Sequence, residues 1–117
     1  MAATRNPRLR LLHIRDEIDG LSATLEDVTL EAYRGSYPLR RVTERAVQII
    51  SEAARALSSD LTDRYPDAPW SAMIGIGNIL RHDYQYIDDR RLWEIARVHL
   101  PALRAIVVQM LAELGDS

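Results

Sequence analysis

The chain has 117 residues, of which 47% are hydrophobic and 27% charged, and its formal net charge is −2. This length suits one domain with a single core, small enough for a partner to complete. The slightly negative charge argues against a protein that coats nucleic acid non-specifically, although it leaves room for a local basic patch. We expect residues 1–117 to form a single domain, with residues 1–7 as a flexible tail.

Neither metal chemistry nor membrane insertion is expected from the composition. Cysteine is absent, and the histidines at positions 13, 82 and 99 include no pair at metal-ligand spacing. We therefore expect no metal site and no cofactor. Residues 1–7 lack the apolar core of a signal peptide, and no apolar run approaches the ~20 residues that span a bilayer. A cytoplasmic protein without membrane contact is the expectation.

The hydrophobic pattern predicts an all-α fold, because no period-2 alternation persists and apolar residues recur at spacings of three and four. Four main helices joined by short links predict an up-and-down four-helix bundle, with one additional short helix. The main helices are predicted at about 7–25, 38–65, 70–86 and from a connector at 87–89 to 114. The short helix is predicted at 26–34.

Residue chemistry marks several of these ends. Gly35 is predicted to end the short helix and Gly115 the last one. Asp88 or Asp89 is predicted to cap the start of the last helix, which Pro101 interrupts.

Polar side chains that can do chemistry are concentrated near residue 80. On a helix turning by ~100° per residue, Asn78, His82 and Gln85 share one face, with Arg81 at its edge. An amide, an imidazole and a guanidinium on one patch can move a proton and hold an anionic phosphate. From residue types alone, a solvated face or a dimer contact explains the same cluster.

Glycines and arginines add two further patterns. Gly75 and Gly77 each cost ~1 kcal/mol relative to alanine in a helix, which indicates close approach of the backbone to another helix or to a ligand. Two basic clusters could follow an RNA backbone, with a solvated face as the alternative for each. They are Arg5-Arg8-Arg10 and Arg40-Arg41-Arg45.

An ordered set of short segments spans roughly residues 8 to 114. These segments are Ile49-Ile50-Ser51-Glu52-Ala53-Ala54, Tyr65-Pro66, Pro69-Trp70, Gly77-Asn78-Ile79-Leu80-Arg81-His82-Asp83-Tyr84, Ile87-Asp88, Leu92-Trp93-Glu94 and Leu100-Pro101-Ala102-Leu103. In this order and spacing they resemble the HepT-like branch of the HEPN superfamily. The resemblance implies a homodimeric helical bundle that cleaves RNA as the toxin of a type II or VII toxin–antitoxin pair. The implied antitoxin is a nucleotidyltransferase of the MntA type.

The resemblance also implies site residues, through a family motif that reads Arg-Asn-x-x-x-His-x-Tyr. Asn78, His82 and Tyr84 match it position by position, whereas Gly77 stands in place of the arginine. Arg81 lies one helical turn beyond Gly77, and our hypothesis is that it replaces the motif arginine across the space that Gly77 leaves empty. His82, Arg81 and Asn78 are therefore the expected catalytic residues of a metal-independent cleavage at the dimer interface.

Two alternatives remain open. Tyr84 is either the hydroxyl to which the antitoxin attaches AMP, as the resemblance implies, or a half-buried tyrosine at the end of the bundle. The whole chain is either an endoribonuclease or a catalytically inactive helical module. Such a module would bind RNA, nucleotide or the nucleotidyltransferase.

Overall fold

A computed structural model of the protein describes residues 6–82 and 88–115. Within these ranges the chain forms helices and no strand, which confirms the predicted all-α helical bundle. The predicted tail 1–7 falls mostly outside the described residues. Its last residue is helical, because α1 (Pro7–Thr24) begins at a proline and is capped by the Asn6 side chain, which accepts from the Leu9 amide at 3.1 Å.

The second and third helices are both shorter than the pattern predicts. α2 is Leu30–Arg34, because Asp27 turns the chain with a φ of 61° and Thr29 caps the helix. α3 is Tyr37–Arg55. The prediction of one helix to residue 65 was wrong, since the chain leaves the helix after Arg55.

A separate short helix, α4 (Ser59–Thr62), follows α3. The Ser58 hydroxyl caps it by accepting from the Leu61 amide at 3.3 Å. Both flanking residues Ala56 and Leu57 are buried, so the apolar spacing continues through the break although the helix does not. Hydrophobic periodicity alone therefore predicted α3 and α4 as one continuous helix.

The last two main helices follow the loop at 63–69. α5 is Trp70–His82, so its predicted end at 86 lies outside the described residues. Asp88 caps α6 (Asp89–Glu94), as predicted, by accepting from the Arg91 amide at 2.7 Å.

A π-helical turn, Ile95–His99, continues α6 into α7 (Leu100–Leu114). Pro101 accounts for this turn, since it has no amide hydrogen for the preceding turn and its ring would clash there. The predicted interruption near Pro101 thus takes the form of a widened turn rather than a break. The helix ends where predicted, at Gly115, which has a φ of 67°.

The core lies between α1, α3, α5 and α7, with α3 packed against both α1 and α5, and α1 against α7. The side chains with less than 2% of their surface exposed include Leu11, Ile14, Ile18, Ile50, Leu103 and Val107. At about 25 cal/mol per Å² of apolar surface, each such side chain contributes roughly 1.5–3 kcal/mol on burial.

One helical segment satisfies the length and composition of a membrane span. Among the described residues, Asp89–Leu114 is a helical segment of 26 residues, but its charged residues leave no uninterrupted apolar run of about 20. Leu100, Leu103, Val107 and Met110 of this segment are at most 1% exposed in the bundle core. A helix buried in a bundle core can have this length and composition without entering a membrane.

Candidate functional site

The three expected catalytic residues lie together on the last two turns of α5. The Arg81 guanidinium donates from Nη2 to Asn78 Oδ1 at 2.5 Å. Arg81 and His82 are exposed and Asn78 is half-buried. Tyr84 and Gln85 lie outside the described residues. The structure thus brings Asn78 and Arg81 into direct contact, with His82 as the next residue.

This position has consequences for charge. The basic residues of α5 within 70–82 are Arg81 and His82, which follow each other in the chain. Arginine has five N–H groups, so the guanidinium has further donors beyond the one that bonds Asn78. An exposed imidazole beside it can exchange protons with a bound molecule. The patch can therefore hold a phosphate and transfer a proton next to it.

Position 77, where the family motif has arginine, is closed by a neighbouring helix. Gly77 is buried, and a Cβ built on it would overlap both Oγ and Cβ of Ser51 on α3. The Ser51 hydroxyl is fixed there, since it donates to the Ile74 carbonyl at 3.3 Å. The space beside Gly77 is thus filled, and the expectation that it stands empty was wrong.

Only one of the two predicted close approaches at glycine is found within residues 6–82 and 88–115. Gly77 lies against Ser51 of α3, whereas no other described residue comes within 4 Å of the position that a Cβ on Gly75 would take. Gly75 instead borders a groove of about 330 Å³ between α5 and the segment Asp89–Leu114. Ile76, Ile79 and Ile95 give this groove a largely apolar lining.

A second polar cluster, which the sequence did not suggest, stands at the rim of the same groove. His99 Nε2 lies 3.4 Å from Glu94 Oε1, and Arg91 Nη1 lies 3.9 Å from that same oxygen. His99 and Glu94 are five residues apart, a spacing that does not bring two side chains together on a regular α-helix. The π-helical turn between them brings the two side chains together.

Comparison with known proteins decides the family. The model of the Ribonuclease HepT-like family matches residues 14–110. The chain belongs to this family.

The chain is also similar to three proteins whose names describe them as ribonucleases. "Putative RNase MJ1380" of Methanocaldococcus jannaschii is 29% identical over 86% of this chain and 92% of its own. "Putative RNase TTE0752" of Caldanaerobacter subterraneus subsp. tengcongensis is 27% identical over 92% of this chain and 96% of its own.

The third relative, "Probable ribonuclease HepT" of Thermococcus cleftensis, is 33% identical over 51% of this chain and 54% of its own. No solved structure matches this chain. The resemblance to the HepT-like branch of the HEPN superfamily is therefore confirmed.

Proposed function

We propose that this HepT-like protein is a metal-independent endoribonuclease and the toxin of a toxin–antitoxin pair. The observation that carries the proposal is the exposed His82, which directly follows Arg81, the hydrogen-bond partner of Asn78. The chain belongs to a ribonuclease family. The relatives' names support the same reaction class. RNA is the proposed substrate and the cytoplasm the proposed location.

In the proposed reaction, His82 accepts the proton of a ribose 2′-hydroxyl. The 2′-oxygen then forms a bond to the adjacent phosphorus, and the bond from phosphorus to the 5′-oxygen breaks. The leaving oxygen takes up a proton from water or from the histidine of a second subunit. The products are a 2′,3′-cyclic phosphate and a free 5′-hydroxyl, so DNA, which lacks the attacking group, is not cut.

Arg81 has the electrostatic role in this scheme. Charge builds on the phosphorus oxygens as the new bond forms, and a guanidinium stabilises it through charge-assisted hydrogen bonds. Asn78 orients Arg81, because its side-chain oxygen accepts one guanidinium N–H and leaves the others for phosphate.

We further propose that the active form is a homodimer. Ile79 lines the groove beside Gly75 and has 39% of its surface exposed. Ile79 lies one turn from His82, so a second copy covering it would bring its own site close to this one. The proposed cleavage site is then at the dimer interface.

Regulation by a nucleotidyltransferase antitoxin of the MntA type completes the proposal. Tyr84 is the proposed AMP acceptor, two residues beyond His82 in sequence. An AMP group there carries a phosphate charge, which would repel the RNA phosphate and compete for Arg81. Modification would thus silence the toxin without unfolding it.

A second candidate function is a helical module without catalysis that binds RNA, nucleotide or the antitoxin. The closed position at Gly77 favours this alternative, because the motif arginine is absent and Ser51 fills its place. Retention of Asn78, His82 and Tyr84 favours the enzyme.

Expression in a bacterium without the antitoxin separates the two functions. Wild type is expected to arrest growth, and His82→Ala to relieve the arrest at equal protein level. His13→Ala is the matched control, since His13 is also exposed but lies on α1. Growth arrest by all three proteins, or by none, would contradict the proposed toxin.

A further inference from the structure

The N-terminal half of α3 and the C-terminal end of α5 lie at the same end of the bundle. Ser51 contacts Ile74, which fixes the level at which the two helices cross. Arg40 Nε lies 4.0 Å from Asp89 Oδ1, a residue shortly after α5, so the two helices run antiparallel. At 1.5 Å per residue, Arg45 stands about 9 Å from Ser51 in the direction of this shared end.

Arg81 is displaced from the crossing by a similar amount. It lies four residues beyond Gly77, or about 6 Å along α5, towards the same end. Arg45 on α3 and Arg81 on α5 therefore stand at nearly equal height on adjacent helices. Both are exposed. Arg45 thus adds an exposed basic group at the same end of the bundle as His82.

The exposed side of α3 at this end combines an aromatic ring with arginines. Tyr37 is 55% exposed, and the guanidinium carbon of Arg41 lies 4.8 Å from the centre of its ring. Arg41 is held in place from the other side by Glu44, with Nη1 to Oε2 at 2.5 Å. Stacking of this kind presents a flat surface on which a nucleic-acid base can pack.

Arg45 differs from Arg41 in its charge balance. It forms no ion pair with any residue in 6–82 or 88–115, whereas Arg41 is paired with Glu44. Arg45 borders a groove of about 450 Å³ between α3 and α1. The opposite wall contains Glu17 and Gly20, and none of the described atoms comes within 4 Å of a Cβ built on Gly20. An anion can reach the Arg45 guanidinium from solvent.

We propose that Tyr37, Arg41 and Arg45 form a binding surface for single-stranded RNA that leads the strand to His82. A base stacks on the Tyr37–Arg41 pair, and Arg45 contacts a phosphate between that base and the cleavage site. Single strands fit because stacking on a protein ring needs a base that is free of its neighbours, which a duplex does not offer. This inference rests on the proposed function, since it assigns the path of the substrate.

The test measures RNA binding without cleavage. Binding of a short labelled single-stranded RNA is followed by fluorescence anisotropy in a His82→Ala background, at several salt concentrations. Arg45→Gln is expected to weaken binding about five- to tenfold and to reduce the salt slope by about 0.7, the value for one phosphate contact with a single strand. Tyr37→Ala is expected to weaken binding at least about fivefold through the lost stacking.

Arg55→Gln is the matched control. Arg55 is an exposed arginine on the same helix, but ten residues and about 15 Å further along, beyond the Debye length of about 8 Å at physiological salt. Its substitution removes the same charge and is expected to leave affinity within about twofold. Thermal unfolding of each variant verifies that the surface substitutions leave the fold intact.

The outcomes separate this inference from the proposed function. If Arg45→Gln and Arg55→Gln weaken binding equally, or if the His82→Ala protein binds no RNA, the binding surface is refuted, even where the wild type cleaves RNA. If Arg45→Gln and Tyr37→Ala weaken binding as expected while the wild type cleaves nothing, the surface stands and the enzymatic function falls.

Discussion

Ser51 on α3 occupies the volume in which a side chain at position 77 of α5 would lie. The Ser51 Cβ is fixed by its own backbone, and its hydroxyl is held by a hydrogen bond to the Ile74 carbonyl, so neither atom can swing away as a flexible side-chain tip could. Glycine at position 77 is therefore a packing requirement of the contact between α3 and α5. An arginine at this position would have to displace Ser51 or separate the two helices.

Substitution of the two α5 glycines should have opposite effects on stability. Gly77→Ala is expected to lower the free energy of unfolding by about 1–3 kcal/mol, because the new methyl group overlaps Ser51. Gly75→Ala is expected to raise it by about 0.5–1 kcal/mol, since its Cβ would meet no atom of the residues that the structure describes and alanine favours the helix. Chemical denaturation measures both.

The pair Ser51 and Gly77 should also be energetically coupled. In a double-mutant cycle, Ser51→Gly is expected to offset part of the Gly77→Ala cost, giving a coupling energy of about 0.5–3 kcal/mol. Strict additivity of the two substitutions would show that the helices adjust elsewhere, and the packing explanation for Gly77 would then be wrong.

Arg81 should matter for catalysis and little for folding. Arg81→Ala is expected to reduce kcat for RNA cleavage by about 10²–10³, the usual cost of losing a donor that stabilises developing charge. Arg64→Ala is the control, since Arg64 is an exposed arginine in the loop before α5, far from His82. If Arg81→Ala cleaves as fast as wild type while His82→Ala is inactive, Arg81 does not replace the motif arginine.

Alkaline pH should destabilise the bundle through Tyr33. Burial raises the pKa of Tyr33 to about 12 from an ordinary value of 10.0. Its contribution to stability is therefore fully present below pH 10 and is lost as the pH rises through 12. Two pKa units correspond to about 2–3 kcal/mol.

The matched variant for this alkaline effect is Tyr33→Phe, which keeps the ring beside Trp93 and removes the ionisable group. Its free energy of unfolding is expected to fall less steeply than that of the wild type between pH 10 and 12. Equal slopes for the two proteins would mean that another group dominates the alkaline transition.

Local chemistry made much of the fold predictable from the sequence. Helix starts at Pro7 and after Asp88, and the helix end at Gly115, follow from proline, capping carboxylate and glycine preferences that act within one turn. The end of α3 at Arg55 was missed because buried Ala56 and Leu57 prolong the apolar pattern beyond the helix itself.

The candidate site was predictable only where it is local. Arg81 and Asn78 are three residues apart on one helix, so their contact follows from helical periodicity. Ser51 beside Gly77, and Arg45 level with Arg81, depend on how α3 crosses α5. That crossing is a tertiary property, and helical periodicity within either segment does not encode it.

The most direct test of the central claim is cleavage of total cellular RNA by the purified protein in EDTA, beside His82→Ala purified identically. We expect the wild type to cut RNA and leave 2′,3′-cyclic phosphate ends, and His82→Ala to leave the RNA intact. Equal cleavage by both proteins would place the activity elsewhere and contradict the site at His82. No cleavage by a folded wild type that carries no AMP would favour the binding module instead.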